Sequence, residues 1–263
     1  MAGTEGFAAP IDPTGHGALY GAGPWRFAGH SATVFARCDG EAVRALLPPP
    51  LEPWGEPIVR FSVHWLQCDL GFGGDFAMAH PERSQFHEAV VGIAARAGER
   101  VGYWDPFLWC DSDAEIAVGR EMYGWPQRAG TLALTLPHPQ RGRQIGDRVV
   151  GRVGRLTQPV FELAITIAAA GEPDIPAPAF ACFFTERALP DPRDRSVVRE
   201  LYASTMRDVA IGHVMRGAAT LRLGAPELAA LAPREVLGGR VNTVSWTKDR
   251  AELVARRVVS PLR

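Results

Sequence analysis

Asp111-Ser-Asp-Ala-Glu-Ile-Ala-Val-Gly-Arg-Glu-Met-Tyr-Gly-Trp-Pro-Gln-Arg-Ala-Gly130 is the stretch on which the fold turns. Ala114 to Val118 is a short, mostly apolar run, which reads as a largely buried strand. From Gly119 to Gly130, three glycines and Pro126 enclose Arg120, Glu121, Tyr123, Trp125, Gln127 and Arg128. Glycine and proline punctuate the backbone, so a rigid turn is expected to hold these large polar and aromatic groups in fixed directions. A strand that feeds such a loop is a common setting for a binding site, and a surface hairpin with an Arg-Glu pair fits the same pattern.

Upstream, Ser31 to Arg37 alternates as a strand, and Asp39 is placed to cap a helix over Glu41 to Leu47 that Pro48-Pro49-Pro50 ends. Ile58 to Leu66 reads as a strand with Val59, Phe61, Val63 and Trp65 on one face and Arg60, Ser62, His64 and Leu66 on the other. Gly71 to Ser84 is a glycine-rich loop, a candidate lid, whose G-x-G-G lacks the strand-helix context of a phosphate cradle. Phe86 to Ala95 reads as another strand, and Val101 to Cys110 holds Tyr103, Trp104, Phe107 and Trp109, a dense aromatic cluster leading into Asp111.

Downstream, Thr131 to Leu136, Asp147 to Leu156 and Val160 to Ala169 read as strands of an antiparallel meander, and Ala179 to Arg187 reads as a strand after a proline-rich bend over Pro173 to Pro178. Apolar residues at helical spacing predict a helix over Asp194 to Asp208. Ile211 to Leu223, Arg240 to Ser245 and Glu252 to Val259 read as strands, with a short helix at Ala225 to Leu231.

The central block resembles the acetoacetate decarboxylase family. That family carries an A-V-G-R-E-L/M segment and then an aromatic-Pro-Lys-Lys-x-Gly turn. Ala117-Val118-Gly119-Arg120-Glu121-Met122 and Trp125-Pro126-Gln127-Arg128-Ala129-Gly130 stand in those places. The likeness extends through Gly23-Pro24-Trp25, Asp39 to Pro50 and Glu56 to Phe61, and returns weakly over Ala225 to Val236. It implies a strand-rich α+β domain over residues 23–263, with a curved antiparallel, barrel-like sheet, a few peripheral helices and an N-terminal arm over residues 1–22. An oligomer is implied by the resemblance alone.

The departures bear on chemistry. The family's first turn lysine forms a Schiff base with a ketone, and the second lowers the first one's pKa by like-charge repulsion. Gln127 and Arg128 occupy those positions, and neither an amide nor a protonated guanidinium can form an imine. An arginine of the family falls at Gly29 or His30, and one of its glutamates at Ser62. The second glutamate is matched by Glu88, at the family's spacing from Gly-Arg-Glu.

Glu88 is thus the acid/base candidate, provided burial against Trp109 or Trp125 raises its pKa. Arg128 is the anion or carbonyl partner, or else a structural mate of Glu121 or Glu88. Gln127 can donate to a carbonyl oxygen or orient a water. Ser62, His64, His30, Trp109, Trp125 and Tyr123 are the substrate-binding candidates. Aromatic walls from the tryptophans would favour a ligand larger and flatter than acetoacetate.

The resulting expectation is a lysine-less enzyme using non-covalent acid/base chemistry (lyase, dehydratase, cyclase or isomerase) on a keto-acid or polyketide-derived small molecule. A non-catalytic binder that kept the pocket is the alternative. A Schiff-base decarboxylase using Lys248, the only lysine, is the third reading, set against a solvated lysine in an exposed turn beside Asp249.

Composition bounds the rest. A length of 263 residues with 46% hydrophobic and 22% charged content suits a globular domain with a substantial core. A net charge of -1 gives no broad attraction to nucleic acid or an anionic membrane. Cys38, Cys68, Cys110 and Cys182 form no C-x-x-C and read as free thiols in a reducing compartment. No signal peptide or bilayer-length apolar run is read, so a cytoplasmic location is expected. His64 with Cys68, and His87 beside Glu88, lack metal-ligand spacing, and no G-x-S-x-G is present, so no metal or other cofactor is expected.

Overall fold

Period-two alternation sets the layers. Val59, Phe61 and Val63 pack with Ala89, Val91, Trp109, Phe161 and Ile165 in the larger apolar core. Leu66 and Cys68, of opposite parity, join Phe27, Val90, Leu108 and Trp125 in a second cluster across the sheet. The computed structural model describes residues 17–259, so most of the N-terminal arm expected over residues 1–22 lies outside the described residues.

In chain order the elements are β1 (Trp25–Arg37), α1 (Gly40–Ala45), β2 (Glu52–Pro53), β3 (Ile58–Cys68), α2 (Phe76–Ala79) and α3 (Pro81–Ser84). There follow β4 (Gln85–Ala97), β5 (Arg100–Cys110), α4 (Asp113–Val118), a π-helical turn (Gly119–Tyr123), β6 (Gln127–Ala129) and β7 (Thr131–Leu134). The remainder is β8 (Arg148–Arg155), β9 (Gln158–Ala170), β10 (Cys182–Pro190), β11 (Val197–Thr205), β12 (Arg207–Leu223), a 3-10 turn (Pro226–Leu231), β13 (Glu235–Lys248) and β14 (Ala251–Val259). The strands join one sheet in the order β14-β11-β10-β5-β4-β3-β1-β13-β12-β9-β8-β7, with β2 on β4 and β6 on β5. Pairing is antiparallel except for β5 with β10 and β5 with β6. The sheet curves as expected for the strand-rich α+β class but stays open, with β14 and β7 at its edges.

Three local expectations change. Ala114 to Val118 is helical, because Ser112 caps α4 by accepting from the Glu115 N–H at 3.3 Å while Ala114 and Val118 bury one face, four residues apart. Gly124, at φ 80°, then turns the chain in a left-handed conformation open to glycine. Asp194 to Asp208 is not a helix. A turn closed by Asp191 and Ser196 leads into β11, which ladders on both sides with β10 and β14, so sheet pairing overrides the helical spacing. The Gly71 to Ser84 loop folds as α2 and α3, tied down where Gln67 Nε2 and Ser84 Oγ donate to the Ala77 carbonyl. Among the described residues no helix is long and apolar enough to cross a membrane.

Candidate active site

Register brings the chemistry together. His64 on β3 sits opposite Glu88 on β4, which sits opposite Cys110 on β5. Gln127 on β6 pairs with Leu108, and Lys248, the last residue of β13, pairs with Trp25. The side chains of Glu88, Gln127 and Lys248 enter one hollow between the sheet and α4, closed by Glu115 from the helix. Trp125, Trp246, Phe27, Phe183 and Met206 supply its apolar wall. The cavity is about 50 Å³, roughly four water-sized positions. Of the tryptophans expected at the site, Trp125 stands in this wall and Trp109 does not.

Lys248 is the main correction. It is 5% exposed rather than solvated in a turn, and its Nζ lies 3.6 Å from the Tyr123 ring centroid and 5.3 Å from that of Trp125. Among the described residues no carboxylate comes within 4.0 Å of it. Burial drives its pKa below the ordinary lysine value, and the charges of Glu115 and Glu88 only partly oppose that. An amine without a close ion pair in an apolar hollow is an activated nucleophile.

Glu88 accepts a hydrogen bond from Gln127 Nε2 at 3.2 Å. Burial, and next the nearby Glu115 charge, push its pKa up to about 8, against the pull of Gln127 and Lys248. Glu115 is 4% exposed, and burial raises its pKa as well, opposed by Lys248 and Gln127. His64 lines the hollow with Nδ1 unpartnered, and burial, then Arg60 and Arg240, lower its pKa to about 3. A neutral His64 can orient a ligand but cannot supply charge.

Arg60 and Asp105 were missed as site residues, although Arg60 lies on the face of β3 expected to line the site. Arg60 Nη2 donates to both Asp105 oxygens at 2.9 and 3.0 Å, and its guanidinium lies 4.0 Å over the Tyr103 ring. Gly92 makes room, since a Cβ there would meet Arg60 Nε and Asp105 Oδ1. Arg60 Nε is buried without a partner, leaving a donor for a ligand anion.

The other candidates disperse. Arg128 turns away from the hollow, because neighbouring strand residues face opposite sides. It pairs with Glu227 at 3.2 Å, each 35% exposed, and not with Glu121 or Glu88. Trp109 belongs to the larger core, edge-on to Phe161. Ser62 is buried against Thr33 at 2.9 Å and is not part of the hollow's lining. His30 lies in a separate surface groove with His213 and Trp65. Tyr123 serves from beneath Lys248, and its hydroxyl donates to the Asp249 carbonyl.

Gly119 has a specific duty here. A Cβ at 119 would run into the Gln127 amide, so this glycine is what lets Gln127 reach Glu88. Gly119→Ala is expected to lose about 1–3 kcal/mol from overpacking, read as a lower denaturant midpoint with an unchanged slope. The same variant should release the Gln127–Glu88 bond.

A family model for acetoacetate decarboxylase matches residues 8–258. The chain belongs to the acetoacetate decarboxylase family. An acetoacetate decarboxylase of Streptomyces nogalater is 28% identical over 223 residues, 82% of each chain. One of Chromobacterium violaceum is 33% identical over 113 residues, which are 43% of this chain and 41% of that protein. Among solved structures, the enduracididine biosynthesis enzyme MppR, complexed with the condensation product of pyruvate and imidazole 4-carboxaldehyde, superposes with a TM-score of 0.86 at 26% identity, covering 97% of this chain and 98% of that one. An acetoacetate decarboxylase-like enzyme from Sphingomonas wittichii RW1 gives 0.86 at 26%, covering 94% and 99%. In this chain Gln127 follows Trp125-Pro126, and the lysine that enters the hollow comes from β13.

Proposed function

We propose that this chain is an imine-forming enzyme acting on a short oxo acid, with Lys248 as the amine. The observation that carries this reading is the enclosure of the only lysine in one hollow with Glu88 and Gln127. Neutral Lys248 Nζ attacks the ketone carbon, and the carbonyl π pair moves to oxygen, which takes a proton from the Glu88 carboxyl. The Glu88 carboxylate then takes the surplus proton from the attached nitrogen and returns it to that oxygen, which leaves as water to give an iminium. In a 3-oxo acid the iminium draws the electrons of the bond between its neighbouring carbon and the carboxylate, releasing carbon dioxide; in a 2-oxo acid it draws those of a C–H bond on that neighbouring carbon, whose proton the Glu88 carboxylate takes. Either path gives an enamine, which becomes an iminium again when its carbon takes a proton or attacks an electrophilic carbon. Water returns to the iminium to free the product. Arg60, held by Asp105, offers its unpartnered Nε–H to the substrate carboxylate. Gln127 holds Glu88 rather than acting as nucleophile.

Borohydride reduction in the presence of acetoacetate or pyruvate is the test. The expected result is a reduced adduct that peptide mapping places on Lys248. Turnover of either acid without an adduct would overturn this reading. It would favour non-covalent acid/base chemistry at the Glu88–Gln127 pair, the second reading that the 3.2 Å hydrogen bond supports.

A further inference from the structure

Glu115 stands at the third helical position after its cap Ser112, the spacing of a capping box. In that motif the glutamate side chain reaches back to the cap's N–H. Here it does not. The Ser112 N–H donates to Cys110 Sγ at 3.4 Å, and Glu115 turns into the hollow. Its Oε2 is buried with no hydrogen-bond partner among the described residues. A helix that forgoes a cap bond and buries an orphan carboxyl oxygen loses stability locally, so the placement calls for another account.

We infer that Glu115 is a positioning residue whose unpartnered carboxylate, facing Lys248 and Glu88 across the hollow, couples the protonation of the amine to that of the acid. This rests on the imine reading above. The groups that share the space come from every wall: Arg60, His64 and Cys68 from β3, Glu88 from β4, Asp105 and Cys110 from β5, Lys248 from β13, and Tyr123 and Gln127 beside Glu115. Arg60 is matched by Asp105, and His64 is held neutral. Glu115 is therefore the anion that acts on both working groups. It is the largest charge opposing proton loss from Lys248 and the largest charge opposing ionisation of Glu88. Two titratable groups pushed by a third in this way define an acid and a base from similar chemistry.

The signs follow directly. Imine formation needs Lys248 neutral, so its rate rises as pH climbs through the lysine's pKa. It also needs Glu88 protonated, so the rate falls as pH passes the carboxyl's pKa. Replacing the Glu115 charge by a neutral group removes attraction from Lys248 and repulsion from Glu88. Both pKa values then fall.

Cyanoborohydride trapping with pyruvate, profiled between about pH 6 and pH 10, reads both limbs. For Glu115→Gln both limbs are expected to move toward acid by about one unit, whereas Glu115→Asp, which keeps the charge, should leave them in place. A role in packing alone would lower the height of the curve without moving either limb. Superposable profiles, or a move toward alkali, would overturn the inference. So would Glu115→Asp moving as Glu115→Gln does. If Glu115→Gln does not fold, Glu115→Leu carries the test, since it leaves no buried amide unsatisfied. Trapped wild type with unmoved limbs sinks this inference and spares the imine reading. If wild type is not trapped, the imine reading fails, and the inference holds only if the turnover limb set by Glu88 still moves toward acid.

Discussion

Lys248→Met loses turnover by about three orders of magnitude or more, the scale on which removal of a covalent nucleophile is felt. It leaves no borohydride adduct. The same variant is expected to be more stable than wild type near neutral pH, by about 1–3 kcal/mol. Lys248 is buried, and its pKa in the folded protein lies below the ordinary 10.5. Between the lowered value and 10.5 the unfolded chain binds more protons than the folded one, so wild-type stability rises with pH across that window. Below it, folding must bury a charged amine. Methionine has nearly the same length and no charge, and it packs against Tyr123 and Trp125 at little cost. Thermal melts at neutral and alkaline pH check both halves. Undiminished turnover by this variant would remove Lys248 from the chemistry, and a drop in neutral-pH stability would mean the buried amine is better satisfied than its surroundings indicate.

Glu88→Gln is expected to slow turnover by roughly 10²–10⁴-fold, the usual contribution of a positioned proton donor. Its fold should survive, because the glutamine carbonyl can still accept from Gln127. Stability again separates acid function from packing. Glu88 is raised from 4.5 to about 8 in the folded state. The folded protein therefore binds more protons than the unfolded chain over that interval, and this part of wild-type stability is lost as pH rises toward 8. The amide cannot ionise, so the variant keeps only the weaker slope that Glu115 contributes in the same direction. Urea midpoints of the two proteins should diverge with increasing pH. Parallel curves would show that Glu88 ionises as easily folded as unfolded, and its candidacy as the acid would fail.

Much of this was visible in the chain itself. The alternation of Val59, Phe61 and Val63 against Arg60, Ser62 and His64 placed the site face of β3, because a strand permits only two sides. Glu88 and Gln127 could be paired from their spacing in a family pattern, and they do meet. The same two-sidedness argues against assigning Gln127 and Arg128 to one site, and Trp109 alternates with Leu108 and Cys110 in the same way. The Ser112-x-x-Glu115 spacing is a legible helix start, but the apolar run that overlaps it is the stronger signal and points to a strand.

The surroundings of Lys248 are the least legible part of the site, although the sequence names it as one candidate amine. Ending the last long strand at Ser245 left the lysine in a turn. Extending it by three residues puts Lys248 on the same side as Val244 and Trp246, whose apolar character marks that side as interior. What no local pattern could give is the pairing of Trp25 with Lys248, which joins the two ends of the described chain. Contacts of that separation are selected by the whole sheet, and the site depends on one of them.

The enclosure of Lys248 also gives the molecule a built-in reporter. With a single ε-amine in the chain, an amine-selective acylating reagent has one lysine to modify. It reaches that target only when the shell around Tyr123 and Trp125 parts. Acylation at Lys248 therefore counts openings of that shell one by one, and its dependence on reagent concentration separates brief local breathing from loss of the whole fold.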